Sequence, residues 1–241
     1  MNDKRNQKNR FPKKVPVLTP EQKKIKDDFM KYWLEVSRTN YGIYERFNHQ
    51  TVVKNKPTNF LKTLEIGAGL GEHLAYEDLN EDQKKNYYAM DMRENVLQTL
   101  KKENPQINAI LGDCEEGLEF TDNFFDRVIA IHVLEHMPDL PKALTEISRV
   151  LKSDGIFHVV IPCEGSLAHQ IARKISAERL FKKKYNTSYD WFIKSEHLSV
   201  PFEIFEELEK KFHIIKKNYF PIPVPFEFCN LCIGIHLKKK F

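Results

Sequence analysis

The feature that most constrains this chain is a glycine-rich segment at residues 64–71, which reads Leu-Glu-Ile-Gly-Ala-Gly-Leu-Gly. Its first residues are typical of a short buried strand. Glycine has no Cβ, so the backbone can turn sharply at the end of a strand and approach a ligand closely. A dinucleotide fingerprint needs the spacing G-x-G-x-x-G, but the third glycine position is occupied here by Glu72. The segment therefore predicts a strand followed by a ligand-binding turn of a different class.

Three more predicted strands follow this turn, and polar residues lie at the end of each. Residues 86–91 end at Asp91, 20 positions after the last glycine of the turn. Residues 109–114 contain Asp113, and residues 124–136 run into a loop that ends in Leu-Glu-His. In open α/β sheets, ligands bind outside the carboxyl ends of the strands, where the strand order reverses. The sequence therefore predicts that these strand ends converge on one crevice.

The order of these motifs, over about residues 60–162, resembles that of the class I S-adenosylmethionine (SAM)-dependent methyltransferases, and among them the ubiquinone-biosynthesis-like family (type 11–12). The resemblance implies a Rossmann-like, doubly wound α/β sheet of seven strands, six parallel and one antiparallel. It also implies SAM as the cofactor and S-adenosylhomocysteine as the product. The cofactor-binding residues that it implies are Glu65, Gly67, Gly69, Gly71, Asp91, Met92, Asp113, Cys114 and His132. An unrelated nucleotide-binding protein is the rival interpretation.

The resemblance also implies how these residues divide the cofactor among them. The glycine turn admits the methionine part, and Asp91 holds the ribose hydroxyls. Asp113, together with the backbone N–H of Cys114, brackets the adenine. Glu65 orients the glycine turn, or the amino group of the cofactor through water.

Three parts are predicted for the chain: a disordered basic tail (1–18), an N-terminal helical cap (19–55) and, as the resemblance implies, the methyltransferase domain (56–241). Six lysines and arginines against one aspartate give the first 14 residues a surplus that exceeds the net charge of +4 of the whole chain. The remainder is therefore near neutral. A charged segment with few apolar residues cannot bury enough surface to fold, so the tail is predicted to be disordered.

The helical cap is predicted from capping residues and from an apolar face. Thr19 followed by Pro20 favours the start of a helix over residues 20–38. A second helix is predicted over residues 41–53. Such helices fold over the cofactor in this family, and simple packing against the sheet edge is the alternative.

The region after the fifth strand is predicted to form a lid over the methyl acceptor. This insertion, residues 163–200, contains a basic amphipathic stretch that could dock an anionic acceptor or an anionic membrane surface, or could be a solvated face. A helix at 201–211 and two strands near 212–219 and 230–238 complete the expected sheet.

Two histidines are candidates for a catalytic general base. His136 lies in the Leu-Glu-His loop, near the expected position of the methyl group, and His197 lies in the lid. Histidine titrates near neutral pH and can take a proton from a hydroxyl group. A structural histidine bonded to the backbone is the alternative for each. No metal is predicted, because the carboxylate cluster of metal-dependent family members is not identifiable in the sequence.

The predicted function is in-line SN2 transfer of a methyl group to a small-molecule acceptor, preferentially an oxygen of a sugar or lipid-linked intermediate. Nitrogen and carbon acceptors stay open. A SAM-binding regulatory or scaffolding subunit without turnover is one alternative, and an RNA or protein methyltransferase is another. The N-P-P-Y-type signature of amino-methylating enzymes is absent after the fourth strand, where Ile131-His132-Val133-Leu134 stands.

The sequence also sets expectations for location and partners. No apolar run reaches the length of about 18 residues that indicates a membrane span, and no signal peptide is recognised, so a cytoplasmic protein is expected. Four cysteines in a chain of this size do not indicate a disulfide framework. No nucleic-acid partner, at most peripheral membrane contact, and a monomer or homodimer are predicted.

Overall fold

A seven-stranded sheet forms the centre of the protein in the computed structural model, which describes residues 10–40 and 42–240. The strands are β1 (Thr63–Ile66), β2 (Tyr87–Asp91), β3 (Asn108–Leu111), β4 (Phe125–Ile131), β5 (Leu151–Pro162), β6 (Phe212–Phe220) and β7 (Cys232–Lys239). They lie in the order β3-β2-β1-β4-β5-β7-β6. Only β7 runs against its neighbours β5 and β6. This confirms the predicted doubly wound sheet with six parallel strands and one antiparallel strand.

The α-helices within the described residues flank this sheet and continue into the lid. They are α1 (Pro20–Asn40), α2 (Gly42–Val53), α3 (Glu81–Lys85), α4 (Glu94–Glu103), α5 (Leu140–Val150), α6 (Leu167–Ile175), α7 (Ala177–Tyr185), α8 (Asp190–Glu196) and α9 (Pro201–Lys211). The start of α1 is as predicted: the hydroxyl of Thr19 accepts from the amide of Gln22, whose side chain accepts from the amide of Thr19. Within the described residues, no helix combines the length and the apolar character that a membrane crossing needs.

The strand register brings three strand ends to the same level. Ile66, the last residue of β1, pairs with Met90 of β2 on one side and with Ala130 of β4 on the other. The residues that follow these positions, among them Gly67 and Asp91, therefore leave the sheet at one edge. This edge is the one formed by the carboxyl ends of the parallel strands. At β1 the direction of winding reverses, and ligands of such sheets bind there.

Burial on both faces of β1 fixes this register. Successive side chains of a strand point to opposite faces. Leu64 and Ile66 face the largest apolar cluster, which also contains Ile147 of α5 and Leu208 of α9. Glu65 faces the other way, towards Tyr87. A slip by one residue would bury a carboxylate in the apolar cluster.

The predicted helical cap divides between the sheet and the lid. Val52 of α2 packs against Ile129 and Val160 of the sheet. At Gly234 of β7, an added Cβ would come within 2.6 Å of the Thr51 hydroxyl, so this glycine lets α2 lie close to the sheet. Helix α2 therefore packs on the sheet.

Helix α1 packs on the lid. Phe29 is buried in an aromatic cluster with Phe181, Tyr189 and Phe192, and its ring centroid lies 5.0 Å from that of Phe181 and 5.2 Å from that of Phe192. We call this group the lid cluster. Because aromatic side chains bury large apolar areas, the lid cluster holds α1 and the lid helices together as one unit.

Part of the predicted basic tail contacts α9. Residues 1–9 of the tail lie outside the described residues. Lys13 forms an ion pair of 2.7 Å with Glu203 of α9, and Arg10 pairs with Glu206 of the same helix. Phe11 packs against the main core. Disorder of residues 1–18 stays a prediction, while Arg10, Phe11 and Lys13 have partners far away in the sequence.

We predict that Phe29→Ala loosens the lid more than the sheet. The substitution leaves a cavity in the lid cluster, and Phe→Ala changes in cores cost about 3–5 kcal/mol. Hydrogen exchange should therefore accelerate across α7 and α8 and change little in β4 and β5. Ile43→Ala, at a position of α2 that is 76% exposed, is the matched control and should change neither region. Equal acceleration in the sheet and the lid would contradict this division.

Candidate active site

The glycine turn adopts a conformation that only glycine reaches without cost. The φ angles of Gly67, Gly69 and Gly71 are +67°, +56° and +85°. Side chains other than glycine lose about 1–2 kcal/mol in this region. At Gly67 an added Cβ would also come within 2.4 Å of the Val133 side chain. The turn therefore lies directly against the loop that follows β4.

Asp91 is buried at the end of β2 and is bound from two sides. Its carboxylate accepts the backbone N–H of Gly69 at 3.0 Å and two guanidinium N–H groups of Arg93, each at 2.9 Å. Burial raises the pKa of Asp91, but the hydrogen bonds and charge of Arg93 outweigh burial and lower it. The ionised carboxylate therefore fixes the glycine turn. With the backbone N–H of Arg93 as a fourth donor, its acceptor positions are filled, so a ribose hydroxyl would have to displace Arg93.

The third strand end carries the residues expected to bracket an adenine. Asp113 lies two residues beyond Leu111, the β3 residue that pairs with Asp91. Its carboxylate accepts the amide of Glu115 at 2.8 Å. Cys114 is buried beside it, whereas Met92 lies at the rim with 69% of its surface exposed. The geometry thus gathers these predicted residues along one edge of the sheet.

Glu65 is buried within β1. The Tyr87 hydroxyl donates to its carboxylate at 2.7 Å, and no hydrogen bond between described residues joins Glu65 to the glycine turn. Burial raises the pKa of Glu65 to about 8. A protonated Glu65 is therefore the dominant form at neutral pH.

His132 follows β4 and connects it to the helical cap. It adopts a φ of +53°, which is uncommon for a residue with a side chain. Its Nε2 lies 3.2 Å from the hydroxyl of Tyr44, and the two rings are stacked with centroids 5.6 Å apart. Its Nδ1 lies 3.3 Å from Glu135. Helix α2 therefore reaches over the edge where the strand ends converge.

The structure brings the two candidate catalytic histidines together. The ring centroids of His136 and His197 are 5.2 Å apart, and Glu135 lies beside them. One nitrogen or oxygen atom from each of these three side chains lies within 4.8 Å of the others. We call this group the acceptor cluster, since it lies where the loop after β4 meets the lid.

Each imidazole of the acceptor cluster is oriented through its Nδ1. That of His136 lies 2.6 Å from the main-chain oxygen of Glu196, and that of His197 lies 2.6 Å from the carboxylate of Glu164. No hydrogen bond between described residues uses Nε2 of His197. The Nε2 atoms therefore remain to act on an acceptor.

Charge is concentrated at this cluster. Burial raises the pKa of Glu135, but the hydrogen bond of His132 and the charges of His136 and His197 lower it to about 2. Burial acts to lower the pKa of His197, yet the bond to Glu164 and the charge of Glu135 raise it. The buried carboxylates therefore stay ionised near neutral pH.

Two backbone hydrogen bonds hold the lid against the site. The amides of Leu198 and Ser199 donate to the main-chain oxygen of Glu135 at 2.8 and 3.1 Å. On the lid itself, Glu164 also pairs with Arg173 at 2.5 Å. The lid thus ends at the loop that carries the acceptor cluster.

Four residues of this site were not predicted from the sequence: Tyr44, Arg93, Glu135 and Glu164. Glu135 belongs to the recognised Leu-Glu-His loop, and Arg93 follows Asp91 by two positions, so both had a local signal. The contacts of Tyr44 and Glu164 join positions far apart in the sequence, so these two residues had no local signal. Two surface cavities, of about 270 and 470 Å³, lie elsewhere, against α7 and beside Phe60, and contain none of the predicted site residues.

Comparison with known proteins also indicates a methyltransferase domain. The family described as "Methyltransferase domain" matches residues 64–159, from β1 into β5. Human "Arginine-hydroxylase NDUFAF5, mitochondrial" is 36% identical over 101 residues, which are 42% of this chain and 28% of that protein. The "Ubiquinone/menaquinone biosynthesis C-methyltransferase UbiE" of Francisella philomiragia is 28% identical over 145 residues, 56% of this chain and 58% of that protein. The chain thus matches less than two thirds of the length of either relative.

Solved structures share the fold over nearly the whole chain. A TehB-like SAM-dependent methyltransferase from Corynebacterium glutamicum superposes with a TM-score of 0.59 at 16% identity, over 89% of this chain and 98% of that one. At this identity the likeness concerns the fold alone.

We predict that Glu65 makes stability fall with rising pH. Because burial raises its pKa from 4.5 to about 8, the native state holds a proton that the unfolded state releases in this window. The free energy of unfolding should therefore decrease as pH rises from about 4.5 to about 8. A shift of this size corresponds to at most about 5 kcal/mol.

Thermal or urea unfolding of the wild type and Glu65→Gln across this pH range tests the prediction. The glutamine keeps an acceptor for Tyr87 but does not titrate, so its stability should fall less steeply with pH. Glu119→Gln, at an exposed position, is the control and should follow the wild type. Parallel curves for Glu65→Gln and the wild type would contradict the prediction.

Proposed function

Because this chain is a class I SAM-dependent methyltransferase in its fold and in its matched domain, we propose that it transfers the methyl group of SAM to a small-molecule acceptor. An oxygen of a sugar or lipid-linked intermediate is the acceptor class that we favour. The observation that carries the proposal is the convergence, at one sheet edge, of the glycine turn, Asp91 and the acceptor cluster.

The residues of the crevice fit the proposed cofactor. SAM supplies a methyl group on a sulfonium, which is a good leaving group. At Gly67 the turn has no Cβ, so its backbone lies directly against Val133 of the loop after β4. Asp91 is ionised, and its carboxylate can accept ribose hydroxyls where they replace the hydrogen bonds of Arg93. We assign Asp113 and the amide of Cys114 to flank the base.

His136 and His197 are the residues that we propose to act on the acceptor. Methyl transfer forms a bond from the acceptor atom to the methyl carbon and breaks the carbon–sulfur bond, whose electron pair stays on sulfur. An acceptor hydroxyl must also lose its proton. Positioning can supply roughly 7–11 kcal/mol of such a barrier, and a general base a further ~10²–10⁴-fold in rate. The oriented Nε2 atoms of the two histidines are suited to position the acceptor and to take its proton.

The lid gives partial support to an anionic acceptor. Three of its basic residues already pair with carboxylates: Arg173 with Glu164, Lys182 with Glu178 and Lys184 with Asp28. The support therefore comes from exposed basic positions such as Lys174 and Arg179. The same face exposes the apolar residues of α6, so peripheral contact with an anionic membrane stays part of the proposal.

A protein acceptor is the second candidate. The human relative that matches 101 residues is named an arginine hydroxylase, which acts on arginine rather than on a sugar or lipid. A SAM-binding subunit without turnover and an RNA methyltransferase are further alternatives. We propose a cytoplasmic location, although the name of the human relative places that protein in mitochondria.

Cofactor binding is the first test of this proposal. We expect calorimetric titration to show micromolar binding of SAM and S-adenosylhomocysteine. Asp91→Ala should weaken this binding by tenfold or more, about 1.4 kcal/mol, because the ribose loses its acceptor and the turn loses the bond to Gly69. Asp154→Ala, at an exposed position on β5, should bind like the wild type. Failure of the wild type to bind either ligand would overturn the cofactor assignment.

Transfer itself is tested with SAM labelled in its methyl group. Incubated with a cell extract, the protein should label the small-molecule or lipid fraction. His197→Gln should retain SAM binding and reduce labelling by about 10²–10⁴-fold. His213→Gln, exposed on β6, is the control and should keep full labelling. Label in protein or RNA would replace the acceptor class, and tight SAM binding without any label would favour the regulatory alternative.

A further inference from the structure

The acceptor cluster contains a buried carboxylate, that of Glu135, which general-base catalysis by the two histidines does not require. The side chain of Glu135 is only 2% exposed, and its Oε2 has no hydrogen-bond partner among the described residues. An unpaired oxygen of a buried, ionised carboxylate is costly because it has lost water without gaining a donor. Its other oxygen faces His132 at 3.3 Å and His136 at 3.8 Å. The carboxylate oxygen that faces the histidines is therefore Oε1, and a positive ligand between the three side chains would offset the charge of this buried carboxylate.

We propose that Glu135, His136 and His197 bind a divalent transition-metal ion, through one carboxylate oxygen and two imidazole nitrogens. The inference rests on the proposed function, since it assigns a ligand to the acceptor end of that site. Two histidines and one glutamate are an established ligand set for catalytic zinc, and two histidines with one carboxylate also bind iron(II). Such three-residue sets leave coordination positions open for a substrate.

The surroundings of the two imidazoles match those of metal ligands. A metal-bound histidine donates its other ring N–H to a carboxylate or a main-chain oxygen, which fixes the tautomer and the ring orientation. His136 makes this contact with the main-chain oxygen of Glu196, and His197 makes it with Glu164. Both contacts use Nδ1, so both Nε2 atoms are free to bind the ion.

The distances require only a small closure. Ligand atoms at about 2.1 Å from one ion lie about 3.4 Å apart in a tetrahedral site. Here the three ligand atoms lie within 4.8 Å of one another, and Nε2 of His136 is 3.8 Å from Glu135. His197 lies just beyond α8, next to the two residues whose amides hold the lid in place. None of the three ligands belongs to a strand, so the closure would involve the loop after β4 and the lid rather than the sheet.

The ligand set also indicates the kind of ion. Imidazole favours zinc, iron and nickel, whereas magnesium and calcium prefer oxygen ligands. No cysteine belongs to the cluster. An ion held here would lower the pKa of a bound acceptor hydroxyl and orient its oxygen, so the activation assigned above to the histidines would act through the metal.

The test measures metal binding directly on the full chain. After treatment with a chelator and its removal, the protein is titrated with Zn²⁺ by calorimetry and with Co²⁺ by visible absorption. We expect one equivalent of each ion, with the absorption of a coordinated Co²⁺. His197→Gln and His136→Gln should each weaken binding at least tenfold and abolish the Co²⁺ spectrum. His213→Gln should bind as the wild type does.

Each outcome decides the inference. Absence of binding overturns it, and so does equal binding by the wild type and both cluster variants, which would place the ion elsewhere, such as at the His158–His236 pair. Glu135→Gln adds a third ligand variant, used if circular dichroism shows a native fold. SAM is titrated into the same samples. SAM binding without metal binding overturns this inference alone, and metal binding without SAM binding overturns only the proposed function.

Discussion

Two hydrogen bonds to one main-chain oxygen hold the parts of this site together. The oxygen belongs to Glu135, and the amides that donate to it belong to Leu198 and Ser199 of the lid. The loop that carries Glu135 is itself held against the glycine turn by the contact between Val133 and Gly67. The contact of His136 with the main-chain oxygen of Glu196 adds to these bonds. With them, the cofactor residues and the acceptor cluster form one continuous site.

Two buried glutamates show how neighbours rather than burial decide the charge. Glu65 and Glu135 both lie in the protein interior, yet the pKa of Glu65 is raised to about 8 and that of Glu135 is lowered to about 2. Glu65 has a neutral tyrosine hydroxyl as its partner, so desolvation dominates. Glu135 faces imidazoles that can carry positive charge, so their attraction outweighs desolvation. One site therefore contains a neutral acid and a charged one.

The fold followed from the sequence because its signals are local. A glycine turn after β1 and an acid at the end of β2 specify strand ends, and parallel strands bring such ends to one edge. The features that the sequence did not predict are contacts between positions far apart along the chain. Nothing near Phe29 indicates that α1 packs on the lid, and nothing near Arg10 indicates its partner Glu206. His136 and His197 were both candidates, but their proximity required the fold.

The lid has its own packing, and this has an evolutionary consequence. Its aromatic side chains pack with one another and with α1, apart from the apolar clusters that hold the sheet. Substitutions at the lid surface therefore have little effect on the folding energy of the sheet or on the conformation of the glycine turn. Lineages that descend from such a chain can exchange one acceptor for another by drift in the lid, while the cofactor half is inherited unchanged.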